Sequence, residues 1–290
     1  KPHAPWTPPS KQGTIIFPGF DGGGEWGGAA VDPNGILYVN SSEMPWILTM
    51  VEISDTDSSG RQAYMKNCAS CHGDDLTGSQ AYGVEIPALL EVAETWSEEE
   101  INDLILNGKG IMPPFAYLSD GETKDIINFL KYESQDGAAK RSTSKGTSAI
   151  PYAHTGYRKW YDSEGYPAVE PPWGTLNAID LNSGEFVWKR TLGNFPEVDY
   201  PGVSETGAEN YGGPIVTSSG LLFIGATSDE KFRAFDSKTG DLLWQTDLPA
   251  GGYATPATYM ANGKQYVVIA CGGGKMGTPA GDYYLAFALP

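Results

Sequence analysis

The sequence predicts a mainly β protein with an all-α insert: a partial propeller of about two to three blades, interrupted by a helical domain. Strand-like segments flank one helical block, and an eleven-residue pattern occurs twice in the second β part. The 37 Gly, 21 Pro and 12% aromatic residues are typical of turn-rich β proteins. The predicted segments are a first half-blade at 1–53, a helical domain at 54–134, a linker at 135–173 and further blades at 174–290.

The repeated pattern predicts propeller blades. Ala178–Trp188 aligns with Ala234–Trp244 at an offset of 56 residues, with Asp, Gly and Trp at matching positions. We expect the Asp to end a strand, the Gly to form a tight turn and the Trp to contact a neighbouring unit. The strand-like segments amount to less than three blades and are 26–39, 174–192, 212–248 and 253–289. Such a piece cannot close into a ring, so we expect further blades on a missing N-terminal portion or a partner chain.

Helical periodicity begins after the polar stretch 54–60. A short helix is predicted at 60–67, a second behind the capping box of Ser97 and Glu100, and a third that begins after Ser119. Between residues 54 and 134 there are 15 acidic and 5 basic residues, a net charge of −10. More than half of the chain's excess negative charge therefore lies in this block.

The helical block contains the motif Cys68-Ala69-Ser70-Cys71-His72, the attachment signature of a c-type haem. Two thiols add to the two vinyl groups of one porphyrin, and the adjacent imidazole is the proximal iron ligand. A zinc site or a redox dithiol can begin with the same spacing. A structural zinc site usually needs four ligands, and Cys271, His3 and His154 supply no second pair. The motif therefore favours haem c.

A methionine or a histidine should provide the sixth iron ligand. Met112 lies 40 residues after His72, in a segment of Gly and Pro residues typical of a loop. A thioether is a soft ligand that raises the haem potential for electron transfer. The alternative is that Met112 is an ordinary core methionine.

The composition excludes two classes of partner. A net charge of −17 is unsuited to nucleic acid and to an anionic membrane surface. We interpret the negative charge as a contribution to solubility; the alternative is that it attracts a basic partner.

No apolar run reaches the roughly 18 residues of a membrane span. Because the chain begins at Lys1, we expect a processed product, an engineered piece or a fragment. Cys271 follows an apolar run and is interpreted as a buried unpaired thiol.

Residues 57–133 resemble the small monohaem class I cytochromes c. The resemblance rests on the order of the elements, which is a short helix, the CxxCH motif, a Pro-containing loop, a helix, a Gly-Met-Pro loop and a last helix. The resemblance implies that Pro87 packs beside the proximal His72. It also implies that two axial protein ligands leave no open iron position, so that the haem carries electrons.

The β part resembles the pyrroloquinoline quinone (PQQ) dehydrogenases, in particular the membrane-type glucose dehydrogenase branch. The resemblance extends from 212 to 290 and again over 25–45. Its most similar segments are 212–226, 231–236 and 249–256. It implies an eight-bladed-type propeller with PQQ on its axis, and it leaves open a Ca²⁺ ion beside the quinone. By position, Asn40 and Asp229 match two polar residues that help to hold PQQ. We expect Asn40 at the end of its strand and Asp229 at a strand end or in a loop, although each is also a common turn residue. The family's catalytic residues belong to earlier blades, so none is predicted here.

Together the resemblances imply the C-terminal part of a quinohaemoprotein dehydrogenase. A small sugar or alcohol would be oxidised at PQQ, and electrons would leave through the haem to an external acceptor. Covalent haem attachment indicates the periplasm or another exported location. One alternative is an electron-transfer cytochrome fused to a non-catalytic propeller that acts as a scaffold or binding module. A second is a cytochrome-bearing piece that is inert toward any substrate.

Overall fold

The computed structural model describes residues 6–24, 27–53, 57–81, 84–110, 112–133, 152–154, 158–195, 200, 202–274 and 276–289. The chain divides into two compact units. The helical unit comprises Lys1–Ile15, Ile47–Ala81 and Glu85–Arg158, and the propeller unit comprises Ile16–Trp46, Tyr82–Val84 and Lys159–Pro290. Of the predicted linker at 135–173, residues 135–151 and 155–157 lie outside the described residues. The predicted domain boundaries stay a prediction.

The secondary-structure elements of the described residues follow in chain order. The strands are β1 Thr14–Ile16, β2 Ala30–Val31, β3 Ile36–Ser42, β4 Trp46–Leu48, β5 Met50–Glu52, β6 Ser79–Ala81, β7 Val84–Ile86, β8 Tyr152–His154, β9 Arg158–Lys159, β10 Gly174–Asp180, β11 Phe186–Thr191, β12 Ile215–Val216, β13 Leu221–Ile224, β14 Lys231–Asp236, β15 Leu242–Asp247, β16 Ala257–Ala261, β17 Lys264–Gly273 and β18 Ala280–Phe287. The helices are α1 Ser59–Asn67, α2 Ala69–His72, α3 Val92–Thr95, α4 Glu98–Asn107 and α5 Asp120–Asn128, and a π-helical turn, Phe129–Glu133, follows α5. No helix in the described part is long and apolar enough to cross a membrane.

One four-stranded sheet of the propeller unit takes its strands from both sides of the helical insert. Its order is β11-β10-β3-β2, and β3 runs antiparallel to β10 with Tyr38 opposite Ala178. Helices α1 to α5 all lie between these two strands in the sequence. This confirms the predicted split blade. The first strand is shorter than predicted, because β2 covers only Ala30–Val31, and Trp26 lies outside the described residues.

The two copies of the repeat form the same turn. Asp180 O accepts from Gly184 N at 2.7 Å, and Asp236 O accepts from Gly240 N at 2.8 Å. Trp188 on β11 reaches the turn of the second copy, where its Nε1 donates to Ser237 O at 3.0 Å. A Cβ placed on Gly240 would lie 2.7 Å from the Trp188 ring, and the φ of Gly240 is +71°. This position therefore requires glycine twice over, for its conformation and for the close approach. The predicted contact of the Trp with a neighbouring unit is confirmed.

Two further sheets follow, in the orders β12-β13-β14-β15 and β16-β17-β18. Apolar side chains are shared between neighbouring sheets in two buried clusters: Tyr38, Leu176, Ala178, Trp188, Leu192, Leu222, Ile224, Ala226 and Phe235 in one, and Phe232, Leu248, Ala250, Val267, Ile269 and Cys271 in the other. Among the described strands, β18 pairs only with β17, and Tyr284 on β18 is 81% exposed. Among the described residues, two blades have four strands each and one blade has three strands.

The helical unit packs around α1 and α5. Tyr64 on α1 is fully buried and contacts Phe129, which follows α5, at 5.2 Å between ring centroids. Both predicted helix starts are confirmed as capping boxes, Ser97 with Glu100 and Ser119 with Glu122. The third predicted helix ends earlier than its apolar pattern suggests. The α-helix stops at Asn128, and the buried Phe129 and Leu130 lie on the π-helical turn.

Candidate functional site

The Cys68–His72 motif forms one compact turn between two short helices. Cys68 ends α1 by donating its N–H to Tyr64 O at 2.8 Å. The N–H groups of Cys71 and His72 then both donate to Cys68 O, at 3.1 and 3.0 Å. The two thiols are free and half-buried, and burial, followed by the charge of Cys71, raises the pKa of Cys68 to about 12. A single turn therefore presents two unpaired thiols and one imidazole.

The imidazole of His72 is oriented by a backbone carbonyl. Its Nδ1 lies 3.0 Å from Pro87 O, so Nδ1–H donates and the lone pair of Nε2 stays available to a metal. Burial lowers the pKa of His72 against the opposing effect of this hydrogen bond, which favours the neutral imidazole that a metal needs. Pro87 lies beside His72 and contacts its ring through the carbonyl oxygen; that it packs beside a haem ligand stays a prediction.

A buried tyrosine fixes the turn that follows His72. The Tyr64 hydroxyl donates to Gly73 O at 2.7 Å, and burial raises the pKa of Tyr64 far above its ordinary value. The hydroxyl therefore stays protonated and remains a donor. This role of Tyr64 was not predicted, because nothing in its local pattern separates it from an ordinary core aromatic.

Met112 stands at the end of a tight loop. Lys109 and Met112 exchange backbone hydrogen bonds of 3.1 Å in both directions. Gly108 has a φ of +70°, and a Cβ on it would lie 2.3 Å from Met112 O, so the loop depends on glycine there. Met112 is half-buried and belongs to the same helical unit as His72. The neighbouring Ile111 lies outside the described residues.

The residues of the helical unit fit a haem. Leu90 is 43% exposed, Trp96 is 37% exposed, and α3 has no buried residue. Leu89, Val92 and Phe115 pack against the core while remaining partly accessible. A large flat apolar group would cover this surface, which matches the two thiols and the free Nε2. Within the described ranges, no group of three or more His, Cys, Asp or Glu could hold a metal ion, so no such zinc site forms around the two cysteines there.

Asn40 lies inside strand β3 and not at its end, which corrects the sequence-based placement. The strand continues to Ser42, and Asn40 is 0% exposed. Its Nδ2 donates to Asn210 Oδ1 at 2.6 Å and to Gly212 O at 2.9 Å. Its Oδ1 is buried and accepts no hydrogen bond from the described residues. The Nδ2 of Asn40 thus has two acceptors, whereas its Oδ1 remains a buried acceptor without a donor among the described residues.

Asp229 lies in the turn between β13 and β14, as predicted, but its carboxylate is already engaged. It pairs with Arg233, accepts from Thr227 Oγ1 at 2.6 Å and accepts from Asn194 N at 3.0 Å. Thr227 also forms a backbone bridge with Asn210, the partner of Asn40. The structure therefore brings Asn40 and Asp229 into one polar network.

A second buried network in the propeller unit was not predicted. Lys159 pairs with Glu209, and both side chains are more than nine-tenths buried. Tyr211 donates to Asp21 at 2.6 Å and lies 3.2 Å from Glu209. Burial, the largest single cause, lowers the pKa of Lys159, but the charge and hydrogen bond of Glu209, together with the charges of Tyr161 and Asp21, outweigh it and raise that pKa. Burial raises the pKa of Glu209. These residues lie far apart in the chain, so no local pattern could have revealed them.

Cys271 is confirmed as a buried residue with a free thiol. It is 0% exposed on β17, and burial raises its pKa. Its thiol is therefore a poor nucleophile.

The fold and the site define a class of protein: a partial β-propeller that carries a cytochrome-type haem motif in a helical insert. The chain belongs to the PQQ-dependent dehydrogenases, since the family described as "Glucose/ethanol/alcohol dehydrogenase, beta-propeller domain" matches residues 113–267. Residues 55–130 match a second family, "Cytochrome C oxidase, cbb3-type, subunit III".

Full-length relatives agree with this assignment. The quinoprotein glucose dehydrogenase of Escherichia coli (strain K12) is 33% identical over 293 residues, covering 98% of this chain and 28% of that protein. The glycerol dehydrogenase large subunit of Gluconobacter thailandicus is 32% identical over 294 residues, covering 98% of this chain and 31% of that protein. The chain thus spans less than a third of the length of these relatives.

Among solved structures, the quinohemoprotein alcohol dehydrogenase from Comamonas testosteroni matches with a TM-score of 0.43 and 16% identity. That match covers 89% of this chain and 24% of the other. This likeness is too weak to add to the family assignment.

Proposed function

We propose that this chain is the C-terminal part of a quinohaemoprotein dehydrogenase that oxidises a sugar or alcohol and delivers electrons through haem c to an external acceptor. The observation that carries the proposal is the split blade. A propeller of the PQQ family opens between β3 and β10 to admit a unit with two free thiols and an oriented imidazole. The remaining blades, and the catalytic residues, would lie on a missing N-terminal portion or on a partner chain.

The helical unit would hold the haem through four residues. Cys68 and Cys71 would form the two thioether bonds, and His72, aligned by the Pro87 carbonyl, would place Nε2 toward the iron. Met112 would supply the sixth ligand from its glycine-dependent loop. When bound, PQQ accepts two electrons from the substrate and the haem transfers one electron at a time.

The propeller unit would contribute to the quinone site through Asn40. Its unused Oδ1 is a buried acceptor, which suits a donor group of the quinone or a cation such as Ca²⁺. Asp229 is occupied by Arg233, Thr227 and Asn194, so it would act by fixing the turn behind Asn210. The chain's own share of the quinone site would therefore be a positioned amide and its supporting network.

The insertion has a kinetic advantage. A unit joined to one blade at both ends cannot diffuse away, which raises the effective concentration of its electron carrier near the propeller. Attachment of haem to thiols takes place outside the cytoplasm in bacteria, so the protein would act in the periplasm or in another exported location.

Stopped-flow mixing of the complete protein with substrate tests this function. We expect haem reduction only after PQQ has been bound. The variant Met112→Ala should keep its covalent haem but shift the reduction equilibrium by roughly tenfold or more toward the oxidised form. Haem reduction by substrate without PQQ would overturn the proposal. PQQ-loaded protein that never reduces its haem would favour the alternative of a cytochrome on a non-catalytic propeller.

A further inference from the structure

The helical unit contains an arginine with two buried nitrogens that have no hydrogen-bond partner among the described residues. Arg158 begins strand β9 and is half-buried. Its Nε and Nη2 are both buried, and neither has a hydrogen-bond partner among the described residues. A guanidinium is always charged and is rarely left unpaired inside a protein, because desolvation without compensation is expensive. The native protein should therefore supply an acceptor at this place.

Arg158 lies directly beside the haem-attachment motif. A Cβ placed on Gly73 would be 3.3 Å from Arg158 Nη2. Gly73 immediately follows His72, and its carbonyl is fixed by the Tyr64 hydroxyl. The guanidinium is thus packed against the turn that determines where the imidazole lies.

The carboxylate of Asp75 does not satisfy Nε or Nη2 of Arg158. Asp75 accepts from Thr77 N at 3.2 Å and from Thr77 Oγ1 at 2.7 Å. These hydrogen bonds from Thr77 lower the pKa of Asp75, and the charge of Arg158 is the weakest of the causes. Within the described part of the chain, Arg158 forms no ion pair with any carboxylate. An acceptor other than Asp75 would therefore complete Nε and Nη2.

We propose that Arg158 binds a propionate carboxylate of the haem held by Cys68 and Cys71. This inference rests on the proposed function, which supplies the haem. A carboxylate matches the guanidinium in charge and in bidentate geometry. Arg158 lies outside residues 55–130 that match the cytochrome family, so the segment that returns to the propeller would complete the haem site. Its positive charge would also favour the reduced haem.

The test compares three variants of the complete, haem-loaded protein. Arg158→Gln removes both the positive charge and the bidentate geometry of the guanidinium. Arg158→Lys keeps only the charge, and Arg61→Gln is the matched control. Arg61 belongs to the same unit and lies 3.8 Å from Asp57, a partner within the chain. The readouts are the haem midpoint potential by spectroelectrochemistry and the redox-induced infrared difference spectrum of isotope-labelled propionates.

In Arg158→Gln we expect the reduction equilibrium to shift by about tenfold toward the oxidised haem, because a nearby positive charge is lost. The propionate carboxylate bands should move as well. Arg158→Lys should recover most of the potential but not the bands of the bidentate pair. Arg61→Gln should leave the bands unchanged.

Two outcomes separate the possible failures. Unchanged propionate bands in Arg158→Gln, with or without a shift in potential, would overturn the assignment of Arg158 while leaving the haem in place. Absence of covalent haem from the wild-type protein, measured by its pyridine haemochrome spectrum, would instead remove the proposed function itself. If Arg158→Gln does not fold, Arg158→Lys tests the assignment instead. A lysine cannot make a bidentate contact with a carboxylate, so this variant must shift the propionate bands if Arg158 binds the propionate.

Discussion

The helical unit and the propeller unit organise their polar chemistry in opposite ways. In the helical unit, two thiols and an imidazole lie within five consecutive residues, and the Pro87 carbonyl that aligns His72 is 15 residues away. In the propeller unit, Asn40 binds Asn210 across 170 residues, and Lys159 pairs with Glu209 across 50. The helical unit also presents two thiols outside any disulfide and an imidazole whose Nδ1 contacts Pro87 O, whereas the propeller unit buries a charged pair, Lys159 and Glu209.

This difference separates two kinds of site. A covalently attached cofactor needs reactive groups at fixed short spacing, because the turn between them determines the geometry of attachment. A propeller needs buried polar residues that join blades, so their partners come from distant strands. The helical unit therefore concentrates its reactive groups in one short segment, and the propeller unit builds its buried networks from distant segments.

The largest effect should follow removal of a motif thiol. Cys68→Ser, and still more the pair Cys68→Ser with Cys71→Ser, should abolish stable covalent haem, because no other described cysteine lies in the helical unit. Haem staining after denaturing electrophoresis measures the result. Cys271→Ser is the matched control and should retain full haem content. Loss of haem in Cys271→Ser would contradict the separation of the two units.

Next in size is the buried ion pair of the propeller unit. Glu209→Gln should destabilise the protein by about 3–5 kcal/mol, because it leaves the ammonium of Lys159 buried and unpaired. Chemical denaturation followed by tryptophan fluorescence measures the free energy of unfolding. The exposed pair Lys231–Asp247 is the control, and Asp247→Asn should cost less than about 1 kcal/mol. If the two variants lost equal stability, burial would not determine how much an ion pair contributes to the free energy of unfolding.

The two tryptophans of the repeat offer a smaller and sharper test. Trp188→Phe should cost about 1–2 kcal/mol, because Ser237 O loses its buried donor. Trp244 occupies the matching position but is 40% exposed, so Trp244→Phe should change stability by less than about 0.5 kcal/mol. The same denaturation measurement applies to both variants. A larger loss for Trp244 would mean that a further blade covers it in the complete protein.

The smallest effect concerns acid stability of the helical unit. Hydrogen bonds from the N–H of Ser97 and the hydroxyl of Ser119 lower the pKa of Glu100 and of Glu122 below 4.5. A lowered carboxyl pKa stabilises the fold above the ordinary pKa, and this stabilisation is lost as pH falls through the lowered value. Replacing both glutamates by Gln keeps a side chain that can accept in the capping box but removes this titration.

Helix content followed by circular dichroism below pH 4.5 measures this effect. We expect the acid transition of the double variant to shift by roughly a few tenths of a pH unit. Glu99→Gln removes a charge from the same helical turn without touching a capping box. An identical shift in that control would assign the effect to overall charge.

What the sequence predicted follows this division between local and distant contacts. The capping boxes, the CxxCH turn and the Asp-Gly turns are set by neighbouring residues, and each was predicted in place. Asn40 was misplaced because a strand's end depends on its partner strand, and β10 lies beyond the insert. Glu209 and Arg158 were missed because a charged residue shows no local sign of the distant group that buries it.

The pairing of β3 with β10 also imposes an order on folding. Residues 43–173 must be synthesised before the two halves of this blade can meet. Closing so long a loop costs little more free energy than closing one of half its length, by about 0.6 kcal/mol, but non-local contacts form slowly. Helices α1 to α5 make their contacts within a short span of chain and can form first. The edges of β3 and β10 that pair with each other stay open until then, so the helical unit can form before the blade is completed.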